Sequence, residues 1–176
     1  MKVVCFTGAS GAGKTRLMAG VIQALKAQGQ RVSVVKHAHA GFEIDHEGKD
    51  SWSHRQAGAF EVVIASGRRL AKVREFEVEV KLSVHQLLAE LVECDWALVE
   101  GFKDCDLPRV AFWLPGEPAS YEEDPYVVAL VLADLAVPLP VPTGRPVFQR
   151  DDAAGVVAFL MQSGQRFDYE PEMFFG

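Results

Sequence analysis

Two hydrophobic periods take turns along this 176-residue chain. Short unbroken apolar runs read as buried strands, and apolar positions three and four apart read as helices. Lys2–Thr7 (KVVCFT) is the first strand. Leu17, Val21 and Leu25, with Met18 and Ile22 beside them, predict a helix over 14–28, which Gly29 ends as a C-terminal glycine. Residues 31–36 form a second strand, followed by a polar loop over 37–49. Asp50 or Ser51 is placed to cap a short helix reaching Ala57. The runs 60–65 and 70–75 predict a hairpin turning around Gly67. Ser83 is expected to cap a helix to about residue 93, with Val84, Leu87, Leu88 and Leu91 on its inner face. Further strands are expected at 96–99, 110–114, 127–132 and 147–148, and a last helix capped by Asp151 or Asp152 runs to about 161. The tail 167–176 is aromatic and acidic without a period.

Strands alternating with helices predict an α/β fold: a mostly parallel sheet with helices on both faces. The pattern reads as one domain, 1–176, with a hairpin insertion at about 60–80. The apolar strand 60–65, at a sheet edge, offers a pairing surface to a second copy and so a dimerisation element.

Composition narrows the function classes. The hydrophobic share of 49% with 24% charged residues is that of an ordinary globular domain. A net charge of −6 argues against a general nucleic-acid-binding surface and leaves room for a local anion site. The three cysteines lack metal-like spacing and read as reduced thiols in a cytoplasmic protein, with Cys5 in the core. The apolar stretch after Lys2 is too short for a signal peptide. Residues 127–142 contain Asp134 and three prolines, so no membrane span is expected there.

Chemistry enters at Gly8-Ala9-Ser10-Gly11-Ala12-Gly13-Lys14-Thr15, which fits G-x-x-x-x-G-K-S/T between a strand and a helix. Glycines let successive backbone N–H groups turn onto phosphate oxygens, and the helix dipole adds positive potential. Lys14 is placed to reach β/γ-phosphates, and the Thr15 hydroxyl to ligate Mg²⁺. The dinucleotide pattern G-x-G-x-x-G fails because Arg16 stands where its third glycine would be. The nucleophile elbow G-x-S-x-G fails at Ala12.

Other residues gather at the same expected sheet edge. The apolar strand 96–99 ends in Glu100, a Walker-B-like carboxylate suited to the Mg²⁺ shell or an attacking water. Asp45 and Asp50, in or after the polar loop, are candidate Mg²⁺ contacts. His37 and His39 share one side of an extended segment, with His46 and His54 beyond. They read as a metal pair, as exposed loop residues, or as contacts to phosphate or an anionic partner. Arg68, Arg69, Lys72 and Arg74 make a basic cluster, read either as an anion site or as a solvated hairpin. Asp134 is a weak candidate for the guanine edge. The residues alone leave GTP and ATP open, and admit a small-molecule kinase or a metal-handling NTPase as alternatives.

Four blocks together resemble the MobB family of molybdopterin-guanine dinucleotide biosynthesis adapter proteins. They are residues 7–15; Val35-Lys36-His37-Ala38-His39; Gly48-Lys49-Asp50-Ser51 with Ala57-Gly58-Ala59; and Val99-Glu100-Gly101-Phe102-Lys103 followed by Pro108. The resemblance covers about 1–160 and implies a P-loop NTPase fold of the SRP/MinD-like branch. It also implies GTP with Mg²⁺ as ligands, weak GTPase activity at most, and commonly a homodimer. The implied partners are a MobA-type guanylyltransferase and molybdopterin-binding enzymes. Carried over, Gly8, Gly11, Gly13, Lys14 and Thr15 hold phosphates and Mg²⁺, while Asp50 and Glu100 sit near the metal or the attacking water. The chain departs from the family pattern at Ala40, Glu47 and Arg109, where a second histidine, a proline and a lysine are common.

Overall fold

The computed structural model describes residues 1–38 and 41–170. Two compact units divide the chain, Met1–His37 with Ser83–Gly176 and, separately, Ala38–Leu82.

The first unit is built on six strands: β1 (Lys2–Thr7), β2 (Val32–Lys36), and, after the second unit, strands over Trp96–Glu100, Arg109–Phe112, Val127–Leu132 and Val147–Gln149. Numbered in chain order these last four are β5 to β8, since the second unit holds β3 (Glu61–Ser66) and β4 (Arg69–Arg74). All neighbours are parallel, in the order β2-β5-β1-β6-β7-β8. The chain first builds leftward from β1 to β2, then returns through β5 and continues rightward from β6. The C-terminal end of β1 therefore lies at the switch point, where open α/β sheets take ligands.

Burial on both faces explains the unbroken apolar runs. Alternate residues feed opposite layers. Val4 and Phe6 pack with Leu17, Val21 and Leu25 of α1 (Lys14–Ala27) and with Val156, Val157 and Leu160 of a C-terminal helix over Ala153–Gln162. Val3 and Cys5 face the other layer, with Val84, Leu88, Val99 and Leu107. Trp113, Tyr121, Val127 and Leu130 form a third cluster beside β6 and β7.

The second unit contains α2 (Asp50–Gln56) and an antiparallel pair, β3 (Glu61–Ser66) with β4 (Arg69–Arg74). Its helix starts one residue earlier than a capping Asp50 would allow, and two earlier than a capping Ser51 would. Lys49 holds the cap position, and the Ser51 hydroxyl donates to Asp45 at 2.9 Å instead of to the helix end.

The helix expected to reach residue 93 is short. α3 spans Val84–Leu88, opened by a capping box between Ser83 and Gln86. Leu87 and Leu91 still pack partly against the core. The remainder winds off because the chain must enter β5. Arg31 grips Glu93 through both its carbonyl (2.8 Å) and its carboxylate (2.7 Å), and Glu93 takes φ 50°, outside helical space. The C-terminal helix, α4, is capped by Asp152, which accepts from Gly155 N–H at 2.8 Å. Of the tail, Phe167 and Tyr169 are core residues. Among the described residues no helix is long and apolar enough to cross a membrane.

Candidate nucleotide-binding site

The loop between β1 and α1 has the backbone its glycines predict. Gly8, Gly11 and Gly13 take φ 140°, 78° and 99°, conformations that side chains disfavour. At Gly8 there is a second constraint: a Cβ would come within 2.7 Å of Phe112 Cβ and 2.8 Å of its carbonyl oxygen. The close approach of β6 to the loop thus depends on glycine. α1 begins at Gly13 without a capping side chain and without an acid in its first turn. Its first N–H groups therefore receive no side-chain cap, and no acid offsets its positive dipole end.

Lys14 folds back over the loop and donates to the carbonyls of Gly8 (3.0 Å) and Ala9 (2.6 Å). Burial lowers its ammonium below the ordinary lysine range. Glu100 pulls it back up, while Lys103 and Lys36 add to the depression. With Glu117 also raising it, three lysine charges and two carboxylates act on one spot at the sheet edge.

Thr15 and Glu100 meet there. The Thr15 hydroxyl donates to Glu100 Oε1 at 2.8 Å, and Lys36 Nζ lies 3.7 Å from Glu100 Oε2. The sequence placed these two residues 85 positions apart on the basis of motif alone, and β5 beside β1 brings them together. A hydroxyl and a carboxylate in contact are hard oxygen donors of the kind Mg²⁺ takes, so this pair fits that ion. Glu100 is followed by Gly101 at φ 96° and Phe102 at φ 52°, a sharp turn that packs Phe102 against the His37 ring, centroids 4.7 Å apart.

A cavity of about 420 Å³ opens beside Gly8 and Ala9, with Lys103, Asp104, Trp113 and Tyr121 on its walls. Sequence reading missed it, because its walls come from loops whose course no periodicity reports. The same holds for Arg109, seen in the sequence only as a retained charge. It is buried, donates to the carbonyls of Lys103 and Cys105, and pairs with Asp124 at 3.3 Å. Arg109 is the clamp that shapes the 101–108 loop.

The remaining candidates are placed as follows. Asp50 opens α2 in the second unit, where its charge complements the helix N-terminus. Asp45 is committed within that unit. Burial opposes its charge, but bonds from Ser51, the His46 N–H and Arg55 prevail and hold its carboxyl below the usual range. In the basic cluster, Arg74 pairs with Glu61 at 2.8 Å across the hairpin. Asp134 accepts from Ala136 N–H at 2.9 Å, closing the turn after β7. His39 lies outside the described residues.

A parallel sheet, a glycine loop with Lys14 folded over it, and a strand-end carboxylate against Thr15 define a P-loop α/β protein. Comparison with known proteins narrows this. A family model described as "Molybdopterin guanine dinucleotide synthesis protein B" (MobB) matches residues 3–133. A molybdopterin-guanine dinucleotide biosynthesis adapter protein of Escherichia coli is 30% identical over 93% of this chain and 94% of its own length. One of the same description from Haemophilus influenzae is 40% identical over 59% of this chain, and the match spans 58% of that protein's length. A crystal structure of a MobB homologue from Bacillus stearothermophilus superposes with a TM-score of 0.71 over 94% of this chain and 99% of that one, at 24% identity. The chain belongs to the MobB family.

Proposed function

We propose that this chain is a GTP-binding accessory protein of molybdopterin guanine dinucleotide biosynthesis, acting in the cytoplasm and assisting a MobA-type guanylyltransferase. The observation that carries the reading is the Thr15–Glu100 contact beside an uncapped α1 and a lysine folded over the loop. Family membership supplies the pathway.

In this reading the loop N–H groups and the α1 N-terminus take up the phosphates. Lys14 exchanges the Gly8 and Ala9 carbonyls for β/γ oxygens, a move within reach of one flexible side chain. Thr15 and Glu100 would hold Mg²⁺, which when bound neutralises phosphate charge. The proposal includes Asp50 as a residue whose loss weakens Mg²⁺-dependent binding. Hydrolysis is weak, because the chain's machinery holds and orients the nucleotide for a partner. The exposed apolar residues Phe60, Val63 and Leu70 of the hairpin support a homodimer formed through that element.

The test is a binding titration against a MobA-type protein with and without Mg²⁺-GTP. Association strengthened by the nucleotide supports the reading, and no association under either condition overturns it. The cavity beside Gly8 and Ala9 favours a second reading, a small-molecule kinase, since an acceptor seated there would adjoin the phosphate site. Rapid phosphoryl transfer to a small acceptor without a partner protein would replace the first reading by the second.

A further inference from the structure

Cys5 and Cys105 are a hundred residues apart in the chain, yet their sulfurs stand 3.3 Å from each other. Neither belongs to the phosphate site. Cys5 lies in β1, fully buried, two residues before the glycine loop begins to form at Thr7. Cys105 sits in the 101–108 loop and is partly exposed. That loop is held in place by Arg109, whose guanidinium binds the Cys105 carbonyl, and by the Cys105 N–H donating to Phe102 O at 3.1 Å. The pair is therefore asymmetric: one cysteine is partly exposed, and the other is fully buried with its sulfur in contact with the first.

Chemistry deepens the asymmetry. The Cys5 thiol bonds to Cys105 and is buried, and both effects push its pKa far up, so it stays protonated. Cys105 gains from the Cys5 bond, which outweighs its own burial. The Leu107 N–H and the Arg109 charge help further, and its pKa falls to about 7. The thiolate is the nucleophile in thiol–disulfide exchange, and the optimum attacking thiol titrates near ambient pH.

We propose that Cys105 and Cys5 form a thiol–disulfide exchange site for low-molecular-weight disulfides, with Cys105 attacking and Cys5 resolving. The Cys105 sulfur attacks one sulfur of the reagent, whose S–S bond breaks and releases one thiolate. With Cys105 in the mixed disulfide, its charge no longer holds the Cys5 proton; the thiolate released in the first step takes that proton, and the Cys5 sulfur attacks the Cys105 sulfur, releasing the second thiolate. Two protein thiols are oxidised to one disulfide, and the reagent is reduced to two thiols. The sulfurs need to close from 3.3 Å to the bonded distance of about 2.05 Å, within the adjustment of a loop and a side chain. The bond joins the strand feeding the P-loop to the loop that carries Lys103 and Asp104.

The test exposes the reduced full-length protein to oxidised glutathione and maps its peptides by mass spectrometry. Cys94, partly exposed and with its thiol donating to the Met1 sulfur at 3.5 Å, is the internal control. Wild type is expected to lose two of its three thiols, to link the Cys5 and Cys105 peptides, and to regain both thiols with dithiothreitol. Cys105 should react at least tenfold faster than Cys94, with a rate that rises through half-maximum near pH 7. Cys5→Ala should stop at one glutathione on Cys105, and Cys105→Ser should leave Cys5 reduced. If Cys105 reacts no faster than Cys94, or if wild type stops at the mixed disulfide as Cys5→Ala does, the proposal is overturned. The wild-type peptide map decides alone should the buried Cys5 variant not fold.

Discussion

α1 and α4 pack on the same face of the sheet and begin in opposite ways. α4 is closed by its own chain, with the Asp152 carboxylate on the Gly155 N–H. α3 is closed likewise, by the Ser83–Gln86 capping box. α1 begins at a glycine that has nothing to offer its donors, and its first turn holds a lysine and no acid. A side-chain cap contributes about 1 kcal/mol, so leaving it out at a helix that packs Leu17, Val21 and Leu25 into the core is a cost. On the proposed function, the difference means that the α1 N-terminus is kept for a phosphate that the chain does not supply. The lysine folded onto the Gly8 and Ala9 carbonyls is consistent with this, since those oxygens are the nearest stand-ins for phosphate.

Five experiments break or sharpen this contrast. The largest effect is expected from Lys14→Ala. Removing one partner of a charge-assisted contact should weaken Mg²⁺-GTP by about 3 kcal/mol, more than a hundredfold in calorimetric titration. Gly8→Ala comes next. It forces a Cβ onto Phe112 at a backbone angle that alanine avoids, and should lower the unfolding free energy by about 2 kcal/mol in denaturant melts. Gly11→Ala meets nothing within 4 Å and carries the backbone strain alone, so it should cost less. Asp152→Ala should cost about 1 kcal/mol of stability and leave GTP affinity untouched, because α4 has no anion to hold. An equal loss of GTP affinity there would erase the distinction between the two helix ends. The smallest effect concerns protons. Burial lowers the Lys14 pKa, and bound phosphate would raise it again. Binding should therefore take up a fraction of a proton as pH approaches the lowered value, and affinity should decline as pH rises further. Titrations in buffers of different ionisation heat would read this directly.

Much of this contrast was legible in the sequence. β1 and β7 fall at the residues their apolar runs indicate, and the glycine loop lies where its motif places it. Thr15 and Glu100 could be paired on paper because each ends or begins an element whose type was clear. What could not be read depends on packing across the sheet. The length of α3 is set by Arg31 gripping Glu93, two residues with no local signal. The cavity walls and the Arg109 clamp arise where loops cross, and loops carry no period. Cys5 and Cys105 meet only because β6 lies beside β1 in parallel register, with Cys5 opposite Arg109. A short-range pattern has no means of stating such a register.

The most direct measurement is calorimetric titration of the full-length protein with Mg²⁺-GTP, competed in turn by inorganic tripolyphosphate and by guanosine. If the α1 N-terminus and Lys14 grip phosphate, GTP binds at one equivalent per chain, tripolyphosphate displaces it, and guanosine alone does not. No GTP binding, or guanosine competing as well as tripolyphosphate, would contradict a phosphate site at this loop.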